Sequence, residues 1–503
     1  MNDINAGWQD NHKIRSTPLP SEGMAPAVFV LPAWSNLATL DLVIGVVGAA
    51  VWWTVGTWLY WGHRLHYDEN EYRLLAQSWI AGDVFALAGA PAGAHPSSMA
   101  WPGTLVRPYL YHTVLGATWF HAPAVLESIY APIAISAVQV ATFAAVVFRL
   151  AHAMSFFSEN MCRAVIIGLL GMPFAVLINS EVLTESISLS IAGLAVTFAC
   201  PRSRAPASRL GNGAGVLASF ALLGMARTSQ LPVSLFASSV ILWLLLRNAR
   251  LSLHNRIIAL GVGIIGILGW MFITTPQVAL MWIHEQLFPN DMLLWGVGPN
   301  QLLWSQEIGK FVGLIAECPQ LNISGIRYPL PLGSSFSATG QISWYVDHID
   351  VAIWHLFQAL NWDFPTTYIS YFNPFITVPL NAASLVVVVV GLYTVFLAMP
   401  RMLVRFAREA PVLGVVLAAF SCLWLQTAFT AVETRFGIIP WSALSVSAAW
   451  GAVQWWDGMR RREGSLTPVV VAAAATLALL ALSRFAVAGV PEFKLIEAAG
   501  CWR

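Results

Sequence analysis

The sequence predicts an all-α polytopic membrane protein with about eleven transmembrane helices and two long outer loops, and three observations carry that prediction. The 503 residues are 57% hydrophobic and 10% charged, where soluble domains carry roughly 25% charge. The apolar residues gather in about eleven runs, each near the roughly 20 residues needed to cross about 30 Å of hydrocarbon. Arginines collect in the short connections between alternate runs, as the positive-inside rule requires of one membrane face.

Taken in order, residues 1–38 are polar and proline-containing. They lack the short basic start and apolar core of a cleaved signal, so they read as a cytoplasmic tail and the first apolar run as a retained anchor. The expected spans run approximately 39–62, 124–150, 162–179, 184–200, 212–226, 230–246, 257–275, 381–399, 411–430, 436–455 and 467–488. Alternating them from a cytoplasmic start puts Arg149 and Arg163, then Arg202, Arg204 and Arg209, then Arg247, Arg250 and Arg256 on one side. Arg401, Arg405 and Arg408, then Arg460, Arg461 and Arg462 join them there. With Lys13 and Arg15 this makes 16 of the 26 basic residues. The opposite face receives two long segments, 63–123 and 276–380, two short links at 180–183 and 431–435, and a short tail at 490–503. Residues 39–489 thus read as one membrane module with its function on the outer face.

Composition also excludes. A net charge of +1 offers no field to hold nucleic acid. Five scattered cysteines form neither a disulfide framework nor a thiolate zinc site. The outer segments are rich in Trp, Tyr, Phe and Pro rather than in linker residues, so they are expected to fold against the membrane. Their tryptophans, Trp79, Trp101 and Trp344 among them, read either as an interfacial belt or as flat faces for stacking a sugar ring.

Several motifs carry chemistry. HYDENEYRLLAQSWIAGD, residues 66–83, places Leu74, Leu75, Trp79 and Ile80 at helical spacing and predicts an amphipathic helix along the membrane. Asp68, Glu69 and Glu71 stand at its start, where acids either cap the helix or serve as a general base for a hydroxyl. WPGTLVRPYLYH, residues 101–112, follows with Arg107, Tyr111 and His112. Its arginine reads as a snorkelling side chain or as a two-pronged donor to phosphate. Further ionisable residues recur at outer span ends: Glu181 and Glu185 in NSEVLTESISLS, Arg227 in GMARTSQLP, and Glu433 with Arg435 in AVETRFGIIP. Charges within spans are costly and face a partner or a wet cavity. Carboxylates and arginines converging at one depth suit a ligand with an anionic headgroup and an apolar tail.

Several of these runs resemble the membrane-embedded glycosyltransferases of the GT-C fold, particularly the protein O-mannosyltransferase and aminoarabinose transferase branch. DENEYRLLAQSWIAGD is similar to that branch's first-loop motif of an acidic pair followed by Tyr, Ala and Gly-Asp. RPYLYH is similar to its Lys-Pro-Pro-Leu-x-Tyr-Trp motif, with Arg107 in the place of a phosphate-binding lysine. LTESISLSIAGLAV, MARTSQLPV and ETRFGIIPW resemble later helices in order and spacing, from about residue 40 to 455.

The resemblance implies inverting transfer from a polyprenyl-phosphate sugar on the outer face. Asp68 would be the base or acceptor-orienting group, with Glu69 beside it, and Arg107, Arg227 and Arg435 would be ligands of the lipid phosphate. Tyr72, Tyr111, His112, Glu185, Tyr328 and Glu433 complete the expected substrate site. The sequence departs from the pattern at Glu71, where the aminoarabinose branch has an arginine, so one phosphate contact is either missing or supplied elsewhere, by Arg73 or Arg327. The short tail after the last span leaves no soluble acceptor domain, which favours a glycan or glycolipid acceptor.

His63 and His66 beside Asp68 and Glu69 are able to hold a divalent ion, but the spacing is not compact, and arginines at a phosphate make a metal dispensable; no cofactor is required. The expected placement is a bacterial inner membrane with the site facing the periplasm. Alternative readings are a polymerase or ligase of lipid-linked oligosaccharides and a lipid or sugar transporter, the last predicting inverted repeats and broken helices. PQLNISGIRYPLPLGSSF, residues 319–336 and carrying Arg327 and Tyr328, is expected to close as a lid over the donor.

Overall fold

In the computed structural model of the chain, helix occupies each of the eleven apolar runs, and no strand occurs among the described residues. The structure describes residues 39–60, 67–82, 109–200, 206–227, 230–247, 252–274, several between 346 and 360, 374–398, 404, 410–429, 437–461 and 466–488. The chain divides into Met1–Asn36 and Leu37–Arg503, and every described element belongs to the second unit.

The helices are α1 (Thr39–Tyr60), α2 (Tyr67–Ile80), α3 (Tyr109–Thr118), α4 (Ala124–Glu127), α5 (Ala131–Met154), α6 (Glu159–Ile166), α7 (Pro173–Asn179) and α8 (Thr184–Ala199). They continue as α9 (Pro206–Ala226), α10 (Leu231–Arg247), α11 (Leu253–Thr274), α12 (Pro374–Tyr393), α13 (Pro411–Gln426), α14 (Ile438–Arg460) and α15 (Thr467–Ala488). Thr39–Trp58 and Ala131–Met154 are each long and apolar enough to cross a bilayer, and Glu159–Gly171 with Pro173–Asn179, bent by 54°, makes a third crossing if taken as one broken span. Seven shorter apolar helices accompany them. This all-helical, apolar architecture suits a membrane protein.

Two of the expected uninterrupted spans are divided, and proline accounts for both breaks. The run expected from residue 124 begins with the single turn α4, then restarts as α5, with Pro132 in the first turn, where its missing N–H costs no hydrogen bond. The run expected over 162–179 passes from α6 into a π turn at Ile167–Gly171 and stops at Met172, which is extended at φ −96° and ψ 151°. The following Pro173 sterically forbids the helical conformation to Met172.

Carbonyls freed at this second break find donors on neighbouring helices. The Trp52 indole of α1 donates to the Gly171 carbonyl at 2.9 Å, and the Ser445 hydroxyl of α14 donates to that of Gly168 at 2.6 Å. Buried carbonyls in an apolar surround need such partners, so the break is fixed by α1 and α14.

Glycines bring α1 close to the broken helix. A Cβ at Gly48 would stand 2.5 Å from the Leu170 carbonyl oxygen, and one at Gly56 would stand 2.7 Å from Ser180 Oγ. Ser180 begins the link between α7 and α8, so the end of α1 lies against that link. The apolar core runs on through Phe143, Phe174 and Trp441; the last two meet at 4.3 Å between ring centroids. Trp441 is fully buried and donates to Ser384 at 3.3 Å, meeting the need of a buried indole N–H.

At the other end of the bundle, Arg163 of α6 lies 3.5 Å from Asp41 of α1 and 2.8 Å from Glu159. Asn160 donates to Asp457 of α14 at 3.1 Å. The starts of α1 and α6 and the end of α14 therefore share one level.

Candidate functional site

The first outer motif forms α2 as its periodicity predicts, and the helix stops at Gly82, whose φ of +94° suits only a residue without a Cβ. Its buried face differs from the expected one. Glu69, Tyr72, Leu75 and Ala76 are buried, while Leu74, Trp79 and Ile80 are half-buried. The helix packs on α3 and on the link between α7 and α8, so the stripe follows those contacts rather than a flat membrane surface.

Glu69 is buried and accepts the Val182 N–H at 2.9 Å. Val182 stands just before α8, where amides have no helical acceptor, and a carboxylate supplies a strong one across 113 residues of sequence. One turn along α2, Tyr72 meets Tyr111 of α3 edge to face at 4.9 Å and 86°. Gln139 of α5 donates from one amide nitrogen to the Tyr111 hydroxyl at 2.8 Å and to the Glu181 carbonyl at 3.3 Å.

Burial pushes the Tyr111 phenol well above its ordinary value of 10.0, against the lowering effect of the Gln139 bond; Glu69, Tyr72 and Glu185 nearby raise it further. The ionised form is doubly disfavoured, by desolvation and by like charge. Tyr111 is therefore a neutral hydroxyl with a proton to give.

The link itself is polar and closed in. Asn179, Glu181, Thr184, Glu185 and Ser186 are all buried. Ser186 donates to Asn179 Oδ1 at 2.9 Å, and Asn179 donates to the Ala175 carbonyl at 2.7 Å. Glu185, in the first turn of α8, takes one bond from Arg227 at 2.9 Å and another from Thr184 at 3.2 Å. Arg227 follows the last residue of α9, and its side chain retains 15% exposure against 3% for Glu185. The arginine is thus the partner that touches the edge of the cluster.

Glu69, Tyr72, Tyr111, Glu185 and Arg227 are therefore brought to one end of the bundle, with His112 buried on the same short helix as Tyr111. Asp68 is the second residue of α2; its side chain lies outside the described residues, as do Arg107, Arg327, Tyr328, Glu433, Arg435 and the expected lid over 319–336. Arg73 donates to the Leu126 carbonyl at 3.1 Å and to Asn70 at 2.8 Å, tying α2 to α4. No three His, Cys, Asp or Glu side chains gather as a metal site would require among the described residues. His63, His66 and His95 lie outside them.

Two residues central to this cluster are missing from the site expected from sequence. Gln139 was legible as the one amide in the apolar run APIAISAVQVATF, since polar side chains inside a span look for a partner on another helix. Asn179 was legible in the same way, at the end of its apolar run. No family model, curated protein or solved structure matches the chain.

Proposed function

We propose that the protein is a glycosyltransferase that moves a sugar from a polyprenyl-phosphate donor to a hydroxyl of a membrane-associated glycan or glycolipid, with inversion, at the outer face of a bacterial inner membrane. One observation carries the reading. Four of the runs that resemble the GT-C enzymes, DENEYRLLAQSW, YLYH, LTES and MART, meet at one end of the bundle through Glu69 to Val182, Tyr72 to Tyr111 and Glu185 to Arg227.

In this reading Asp68 takes the proton of the acceptor hydroxyl as its oxygen attacks the anomeric carbon, and the polyprenyl phosphate leaves with the bonding electrons. Arg107, Arg327 and Arg435 balance the phosphate charge together with Arg227, whose pairing with Glu185 fixes its position. Glu69 holds the first turn of α2, which carries Asp68, against the α7–α8 link. Tyr72, Tyr111 and His112 form the wall beside it, with Tyr328 and Glu433 on the outer segments. No metal is needed for these steps.

A second reading has one observation in its favour. The 54° break in α6–α7 leads directly into the buried link, and transporters place broken helices at their binding sites. Reconstitution in vesicles with a polyprenyl-phosphate hexose and a glycolipid acceptor separates the two. Transfer is expected to release polyprenyl phosphate, read by mass spectrometry, and to cease in Asp68→Asn with the lipid still co-purifying; Arg107→Ala is expected to lose the lipid. Movement of intact donor across the bilayer without cleavage would establish transport instead, and a wild-type protein that neither binds nor cleaves the lipid would remove the transferase reading.

A further inference from the structure

Helix α8 packs on α9, α9 on α10, α10 on α13 and α13 back on α8, which closes a ring of four helices below the Glu185–Arg227 pair. Serines in apolar helices ordinarily return their hydroxyl proton to the carbonyl one turn back. Ser219, Ser239, Ser421 and Ser447 all do so here, at 2.8 to 3.2 Å. Ser234 and Ser238 on α10 do not. They are 2% and 1% exposed, and neither hydroxyl has a hydrogen-bond partner among the described residues.

Gln230, immediately before α10, repeats the pattern: it is 7% exposed and its Oε1 is buried without a partner among the described residues. Residues 230, 234 and 238 are spaced by four, so they lie along one face of the helix, a length of about 12 Å at 1.5 Å per residue. Ser188 of α8 is 1% exposed, equally without a partner among the described residues, and three residues from Glu185 on the same face as the ion pair. The next buried residue down the α10 face is Ile241, fully buried in the apolar core with Phe220 and Phe420.

Unmet polar atoms at this burial are costly in an apolar surround and call for a partner. The chemistry of these atoms selects its class. The Gln230 oxygen only accepts, so an anion would leave it unmet; serine hydroxyls also need an acceptor for their proton, which a cation does not supply. A hydroxyl group both gives and takes. We propose that the α10 face is a one-ended vestibule, running from the Glu185–Arg227 pair to Ser238 and closed by Ile241, that takes neutral hydroxyl groups, either water or the hydroxyls of a saccharide. The proposal rests on burial and hydrogen bonding along α10 and stands or falls independently of the transferase reading.

The test is thiol accessibility in the full-length protein reconstituted in vesicles, with 2-aminoethyl methanethiosulfonate as probe and peptide mass spectrometry to locate the label. Ser234→Cys, Ser238→Cys and Ser188→Cys each change one atom and lie on two helices, so failure of one variant to fold leaves the others to report. Each is expected to react about tenfold or more faster than Ile241→Cys, as a polar cavity holding water would allow and a dry core would not. Rates for the serine positions no higher than for Ile241→Cys overturn the vestibule, and an Ile241→Cys as reactive as Ser238→Cys overturns its closed end. Repeating the labelling with undecaprenyl phosphate carrying a hexose distinguishes the occupants: protection of Ser234→Cys assigns the site to saccharide hydroxyls, and an unchanged rate assigns it to water.

Discussion

Glu159 and Glu185 each stand in the first turn of a helix, and each meets an arginine, at 2.8 and 2.9 Å respectively. They differ in burial and reach. Glu159 is 75% exposed and pairs with Arg163 four residues on, while Glu185 is 3% exposed and pairs with Arg227, 42 residues away. The first pair is screened by water and strengthens a helix turn that would form without it. The second joins the start of α8 to the end of α9 where water is scarce, and removing either partner strands a charge. The same chemistry serves local structure at one end of the bundle and a tertiary junction at the other.

Breaking the buried pair is the largest test of this contrast. Arg227→Ala is expected to cost about 3–5 kcal/mol, the range for stranding one charge of a buried pair, with Glu185→Gln on that background restoring much of the loss. Denaturant unfolding in bicelles measures both. A loss below that of the exposed pair would mean that water reaches Glu185 freely.

An intermediate effect is expected at Glu69, which is buried and accepts the backbone amide of Val182. Glu69→Ala leaves the Val182 N–H without its acceptor and is expected to cost about 1–3 kcal/mol, whereas Glu69→Gln keeps an oxygen in place and costs less. Hydrogen exchange at Val182 reads this directly, rising in the alanine variant and staying near wild type in the glutamine variant. The smallest effect belongs to Glu159→Ala, at most about 1 kcal/mol and abolished by salt. A salt-independent loss there would place Glu159 in a drier setting than its exposure indicates.

The sequence reached most of the helices and five of the residues that the cluster brings together, Gln139 and Asn179 being outside the expected site. Hydropathy located the eleven apolar runs in which helix forms, because each run meets one side-chain requirement along its length. It missed the divided run at α4–α5 and the break before α7, since a proline inside an apolar stretch leaves the average hydropathy unchanged while altering the backbone. Glu69, Tyr72, Tyr111, Glu185 and Arg227 were legible as polar residues at span ends, where charge is costly unless partnered. Gln139 escaped because a single amide hardly alters the apolar character of α5.

Composition and local pattern by themselves determined that this chain is helical and apolar enough for a membrane, because those properties add up residue by residue. They also indicated the helix α2, with acids at its start, since its apolar residues recur at helical spacing. Only the tertiary structure decided that Glu69 bonds to Val182, that Gln139 donates to Tyr111 and that Glu185 faces Arg227. Those outcomes depend on which buried donors lie within 3 Å of which acceptors, and the distance between side chains far apart in sequence is set by packing, which no local pattern records.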